Sequence, residues 1–138
     1  MMKTVLFVCV HNAGRSQMAE ALVNHLAAER GLPVRALSAG TVAGQEINPA
    51  AREVMAEIGI PMEGQQPKPL TQVMADAADR VVTMGCGVDA EACPAHIHLS
   101  SDWGLDDPKD APLKKVREIR DQIRSKVNAL LDEIGAGI

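Results

Sequence analysis

Thr4-Val5-Leu6-Phe7-Val8 runs without a break into Cys9-Val10-His11-Asn12-Ala13-Gly14-Arg15-Ser16. The first five residues form an apolar run of strand length, the pattern of a strand covered on both faces. From Ser16 to Arg30 the apolar residues Met18, Leu22 and Leu26 recur at helical spacing, and Gly31 with Pro33 marks the stop. A buried strand, a short loop and an amphipathic helix, in that order, predict a βα unit. Its loop then lies at the carboxyl end of the strand, where α/β folds bind ligands.

The rest of the chain repeats the alternation. Val34 to Ala39 reads as a second strand. Asn48 and Pro49 supply an N-cap and a first helical position for a helix that carries Ala51, Val54, Met55 and Ile58 inward and stops at Gly59. After a Gln/Pro loop, Leu70 to Ala78 reads as a short helix, Arg80 to Met84 as a third strand and Ile97 to Leu99 as a fourth. The last helix, from about Pro112 to Ile134, keeps Leu113, Val116, Ile119, Ile123, Val127, Leu130 and Ile134 on one face. This order predicts one α/β domain over residues 1–138, with a four-stranded parallel sheet flanked by helices on both faces and right-handed crossovers.

Composition narrows the function classes. At 138 residues the chain suits one domain and buries roughly 70% of its unfolded surface, so it needs no metal or disulfide staple. Phe7 and Trp103 are the only aromatics and the net charge is −4, which argues against nucleic acid as a partner. No apolar run approaches a membrane span, and Met1-Met2-Lys3 leads into a strand rather than a signal peptide. Three cysteines without an export signal point to the cytoplasm and to thiol chemistry.

The loop Cys9–Ser16 has the makings of an oxyanion cradle formed by Val10, His11, Asn12, Ala13, Gly14, Arg15 and Ser16. Unpaired N–H groups and the positive end of the helix dipole favour a tetrahedral anion there. Arg15 can hold two of its oxygens through a planar fork. Cys9, facing the same positive field, is expected to be a thiolate at neutral pH. Asn12 tolerates a left-handed backbone, Gly14 allows close approach, and the Ser16 hydroxyl can steady the thiolate. A Cys six positions before an Arg is weak evidence alone; between this strand and this helix it is specific. His11 reads as a surface or structural residue and His25 as a helix-face residue.

In this arrangement the chain resembles the low-molecular-weight protein tyrosine phosphatase superfamily. Two further motifs bear on the resemblance. Cys86 and Cys93 lie within Met84–Pro94, directly after the third expected strand. With Cys9 they make three thiols, enough for a nucleophile, a resolver and a terminal partner. Alternatives are a pair of inert core cysteines, or a metal site formed by Cys86, Cys93, His96 and His98. The third motif is Trp103-Gly104-Leu105-Asp106-Asp107-Pro108. The superfamily carries its general acid on such an Asp-Pro step, so the resemblance maps that role onto Asp107, with Asp106 as the neighbour one register away. A helix-entry turn is the alternative.

Together the three motifs resemble the arsenate reductase branch of that superfamily, the three-cysteine, thioredoxin-coupled kind. The resemblance implies strand order 2-1-3-4 and a reaction without cofactor or metal. Cys9 attacks arsenate held by Arg15 and the loop, Asp107 protonates the leaving oxygen, Cys86 attacks Cys9 and releases arsenite, and Cys93 takes over the disulfide for thioredoxin. A low-molecular-weight thiol such as mycothiol is an alternative donor. A phosphatase using Cys9, Arg15 and Asp107 and a non-catalytic oxyanion or metal module are the other readings. The chain departs from the branch in two places. Gly14 stands where many relatives carry an extra cysteine. Some relatives also hold an alkali cation beneath the loop with an Asn, a Glu, a Ser and an Asp; Asn12, Glu20 and Ser38 match, but Gly64 to Leu70 offers no carboxylate. Lys68 is the candidate to replace that cation by pairing with Glu20, beside the alternative of an ordinary exposed lysine. The basic residues Lys114, Lys115, Arg117, Arg120, Arg124 and Lys126 read as a solvated face of the last helix, with docking of an acidic partner as the other reading.

Overall fold

The computed structural model describes residues 2–62, 64–84, 101–105 and 108–136. The elements follow in the order β1 (Lys3–Cys9), α1 (Arg15–Arg30), β2 (Val34–Gly40), α2 (Pro49–Glu57), α3 (Gln72–Ala77), β3 (Arg80–Thr83), β4 (Ser101–Asp102) and α4 (Leu113–Ala136). The sheet is parallel throughout, in the order β2-β1-β3-β4. Three strands carry it, since β4 is two residues long. The expected strand Ile97–Leu99 lies outside the described residues. The β1–β2 register sets Lys3 opposite Val34 and, at the far end, Cys9 opposite Gly40.

Strand alternation splits β1 between two apolar clusters. Val5, Phe7 and Cys9 face the main core, built with α1, α2 and α4. Leu6 and Val8 face a smaller cluster with Ala39, Val81 and Leu70, against which Met74 and Ala75 of α3 pack. The two faces are therefore covered unequally, by three helices on one and by a six-residue helix on the other.

The short helix begins later than its apolar residues suggest. Thr71 Oγ1 accepts from the Met74 N–H and caps α3, while Pro69 bridges Gly40 and the Leu70 N–H donates to Gly40 O at 2.9 Å. Leu70 is thus an extended residue that fills the smaller cluster. One basic residue is also corrected. Arg120 is buried rather than on the solvated face, donating to Val54 O at 2.9 Å and Glu57 Oε1 at 3.0 Å. It ties α4 to the end of α2, where the hydrogen-bonded Arg117 holds the Glu57 carboxyl below its usual range. No helix among the described residues is long and apolar enough to cross a membrane.

Candidate active site

Cys9 ends β1 and Arg15 opens α1, so the loop between them joins a sheet edge to a helix N-terminus. That terminus has neither a capping side chain nor an acidic residue in its first turn, which leaves its positive end uncompensated. The segment after β2 holds the loop from outside. The N–H groups of Thr41, Val42, Gly44 and Asn48 donate to the carbonyls of Cys9, Val10, His11 and Ala13, at 3.1, 2.8, 2.8 and 2.7 Å. In a trans peptide the N–H points opposite to the carbonyl. Carbonyls drawn outward therefore turn the following N–H groups inward, and the Asn12 N–H donates to Cys9 Sγ at 3.1 Å. Asn12 is left-handed, with φ of 54°.

Gly40 makes this closeness possible. A Cβ there would lie 2.5 Å from Val10 O and 3.0 Å from Asn12 N, inside van der Waals contact. Its backbone is pinned from the other side by Lys68 O, at 2.8 Å from its N–H. Gly14 has a similar reason. Its missing Cβ would sit 2.8 Å from Pro108 Cγ, so the proline ring of the Asp-Pro step lies directly over the loop.

Arg15 is buried, and its Nη1 donates to Met84 O at 3.1 Å and Leu105 O at 2.7 Å. One guanidinium thereby joins the loop to the end of β3 and to the stretch after β4. Ser16 Oγ is 2.8 Å from Cys9 Sγ and accepts from Asn12 Nδ2 at 2.8 Å. Over the loop opens a cavity of about 610 Å³, walled by Glu46 and Ile47 on one side and by Pro108, Lys109 and Asp110 on the other.

Behind the loop, Glu20 is buried with its carboxyl pushed above the usual range by desolvation; Lys68 and Ser38 act in the opposite direction. Lys68 Nζ stands 3.6 Å from Glu20 Oε1, and its backbone N–H donates to Asn12 Oδ1 at 2.9 Å. Ser38 lies close enough to act on the Glu20 charge, though its buried hydroxyl makes no hydrogen bond of ordinary length. His11 is exposed, with Nδ1 3.1 Å from Val42 O, and His25 pairs with Glu29 on the surface of α1.

The structure therefore brings together Cys9, the loop 10–14, Arg15 and Ser16, and sets Asn12, Glu20, Ser38 and Lys68 behind them. Asp106, Asp107, Cys86, Cys93, His96 and His98 lie outside the described residues. Among the described residues no group of three or more His, Cys, Asp or Glu side chains could hold a metal ion. Sequence reasoning missed Gly40, Gln17 and Gln65. The one local signal was a glycine closing a strand beside a ligand-binding edge.

The family model for the low molecular weight phosphotyrosine protein phosphatase matches residues 4–137. The chain belongs to that family. Within it, the chain is similar to the glutaredoxin arsenate reductase of Synechocystis, 34% identical over 96% of this chain and 99% of the relative. Among solved structures it is similar to the thioredoxin-dependent arsenate reductase of Corynebacterium glutamicum. That match is 38% identical, with a TM-score of 0.80, over 99% of this chain and 64% of the other. It is also similar to an arsenate reductase solved in the phosphate-binding state, 33% identical over 96% and 99% of the two chains, with a TM-score of 0.82. As a family member, the chain owes its cradle to the loop that follows the first strand.

Proposed function

We propose that this protein reduces arsenate to arsenite in the cytoplasm, through Cys9 and a disulfide relay regenerated by thioredoxin. The observation that carries the reading is Cys9 at the floor of an inward-facing amide loop, in a chain matched over nine-tenths or more of its length by relatives named arsenate reductases. Arsenate binds the loop amides and Arg15. The Cys9 thiolate attacks arsenic, and Asp107 protonates the departing oxygen, which leaves as water. The Cys86 thiolate then attacks Cys9 Sγ. The sulfur–arsenic bond breaks with its electron pair on arsenic, releasing arsenite and leaving a Cys9–Cys86 disulfide. Cys93 attacks Cys86, frees the Cys9 thiolate and presents a Cys86–Cys93 disulfide to the dithiol of thioredoxin.

The test is arsenate-dependent NADPH oxidation, with thioredoxin, glutaredoxin plus glutathione, and mycothiol supplied in separate arms. Turnover in the thioredoxin arm supports the reading. Turnover confined to another arm moves the donor, a live choice because the Synechocystis relative is named for glutaredoxin. Cys9→Ser abolishes reduction in every arm, and Cys93→Ser accumulates the Cys9–Cys86 disulfide in peptide maps. Since one relative was solved with phosphate bound, slow hydrolysis of phosphate esters by Cys9, Arg15 and Asp107 is the second activity to assay.

A further inference from the structure

Behind the loop a file of side-chain amides runs from Gln65 to Cys9, and backbone groups dictate its polarity. Gln17 is fully buried and directs Nε2 at two backbone carbonyls, Asn12 O at 3.1 Å and Gln66 O at 2.8 Å. Only an N–H can face a carbonyl, so the amide cannot be reversed. Its Oε1 is turned away and accepts from Gln65 Nε2 at 2.7 Å. The same Gln17 Nε2 lies 2.8 Å from Asn12 Oδ1, which also accepts from the Lys68 backbone N–H at 2.9 Å. Two donors hold that oxygen, so Asn12 Nδ2 faces Ser16 Oγ, 2.8 Å away. Ser16 Oγ thus receives a hydrogen bond and has Cys9 Sγ, at 2.8 Å, as acceptor for its own proton.

We propose that Gln17 is a positioning residue that, through Asn12, turns the Ser16 hydroxyl proton onto Cys9 Sγ. The consequence for chemistry rests on the proposed role of Cys9 as nucleophile. A hydroxyl proton aimed at sulfur stabilises the thiolate more than the thiol. Were the Asn12 amide reversed, its oxygen would take the Ser16 proton and the thiolate would lose a donor. The segment 65–68 therefore reaches the reacting sulfur without touching it. Fully satisfied buried chains of this kind hold one arrangement.

The test uses the full-length chain carrying Cys86→Ser and Cys93→Ser, so that Cys9 is the sole thiol, and follows its alkylation by iodoacetamide against pH. Gln17→Met keeps the length of the side chain and removes both ends of the amide. It raises the alkylation midpoint by about one pH unit, a tenfold loss of thiolate at low pH. Gln65→Ala, at a half-buried site, moves the midpoint the same way by less and decides the matter should Gln17→Met fold poorly. Ser16→Ala raises the midpoint by itself, and in that background Gln17→Met adds nothing, because both act on one proton. An unchanged midpoint in the folded variants overturns the proposal. So does a Gln17→Met shift of equal size with and without Ser16, which would mark a general effect of the loop. No arsenate enters the measurement, so failure of the arsenate reading appears separately, as absent arsenite formation with the thiol titration intact.

Discussion

The two walls of the anion loop are held by different means. On the β2 side the loop is fixed by four backbone N–H groups, by the bare backbone of Gly40 and by the Gln17 amide. On the β3–β4 side it is fixed by one guanidinium, that of Arg15, and by the ring of Pro108 over Gly14. The first wall is mostly redundant backbone, with one side-chain amide, and sets the shape of the cradle. The second depends on single side chains, and its residues Met84, Leu105 and Pro108 adjoin Cys86 and Asp107 in sequence. The walls differ in what they expose to damage: the first, backed by several backbone groups, shows it first in stability and cradle shape, and the second, hung on Arg15, in anion binding and turnover together.

Arg15→Lys tests the second wall most severely. A point charge replaces neither the fork nor both carbonyl clasps, so kcat/KM for arsenate falls by about 10²-fold or more while the fold persists. Steady-state kinetics beside thermal unfolding check both halves. Gly40→Ala attacks the first wall. The new methyl meets Val10 O, a backbone atom that cannot swing away, and the cost is about 1–3 kcal/mol of stability. Phosphate inhibition, read as a Ki, weakens in parallel, and kcat changes less than KM. A fall in kcat alone would erase the distinction between the walls.

Gly14→Ala is the milder test of the second wall. It displaces the Pro108 ring, and with it the adjoining Asp107, so kcat drops about tenfold if that acid step is general acid catalysis. Phosphate affinity, read as a Ki, falls by less than kcat, and the urea midpoint stays near that of the parent. Lys68→Ala is the smallest change. Burial raises the Glu20 carboxyl above its unfolded value, so its ionisation costs stability as pH rises through the folded value, and Lys68 offsets that cost. At pH 4 Glu20 is protonated in the folded chain and the loss is close to nil. At pH 7 it is about 1 kcal/mol or less, because the half-exposed ammonium is screened. Urea unfolding at both pH values reads the difference. Activity of the parent is unchanged when sodium replaces potassium at fixed ionic strength.

The sequence made the cradle legible because its parts are contiguous. Strand, loop and helix occupy residues 3–30, and the anion-binding logic needs nothing from elsewhere. Gly40 was not legible, because its role exists only once the β1–β2 register sets it opposite Cys9. Gln17 sits on a helix buried on most of its surface, where a polar residue declares itself through Asn12 in the folded loop and through partners 48 and 49 positions away. Arg120 went astray for the complementary reason. It stands beside Ile119 at the border of the apolar stripe, and the carbonyl and carboxylate at the end of α2, with Asp121 on its Nε, make its burial tolerable. The helix expected from Leu70 lost its first residues to a strand-like contact with Gly40, which no local pattern encodes.

Trp103 packs on Phe7, with ring centroids 5.2 Å apart, and its backbone N–H donates to Thr83 O at 2.9 Å. It is the only tryptophan, and the chain has no tyrosine. Two residues on, Leu105 offers the carbonyl that clasps Arg15. The intrinsic emission of the protein therefore comes from a single fluorophore, stationed on the wall that moves if Arg15 changes partners. An anion that draws Arg15 off the Leu105 carbonyl would report through that one signal, with no label to attach and no tyrosine to subtract.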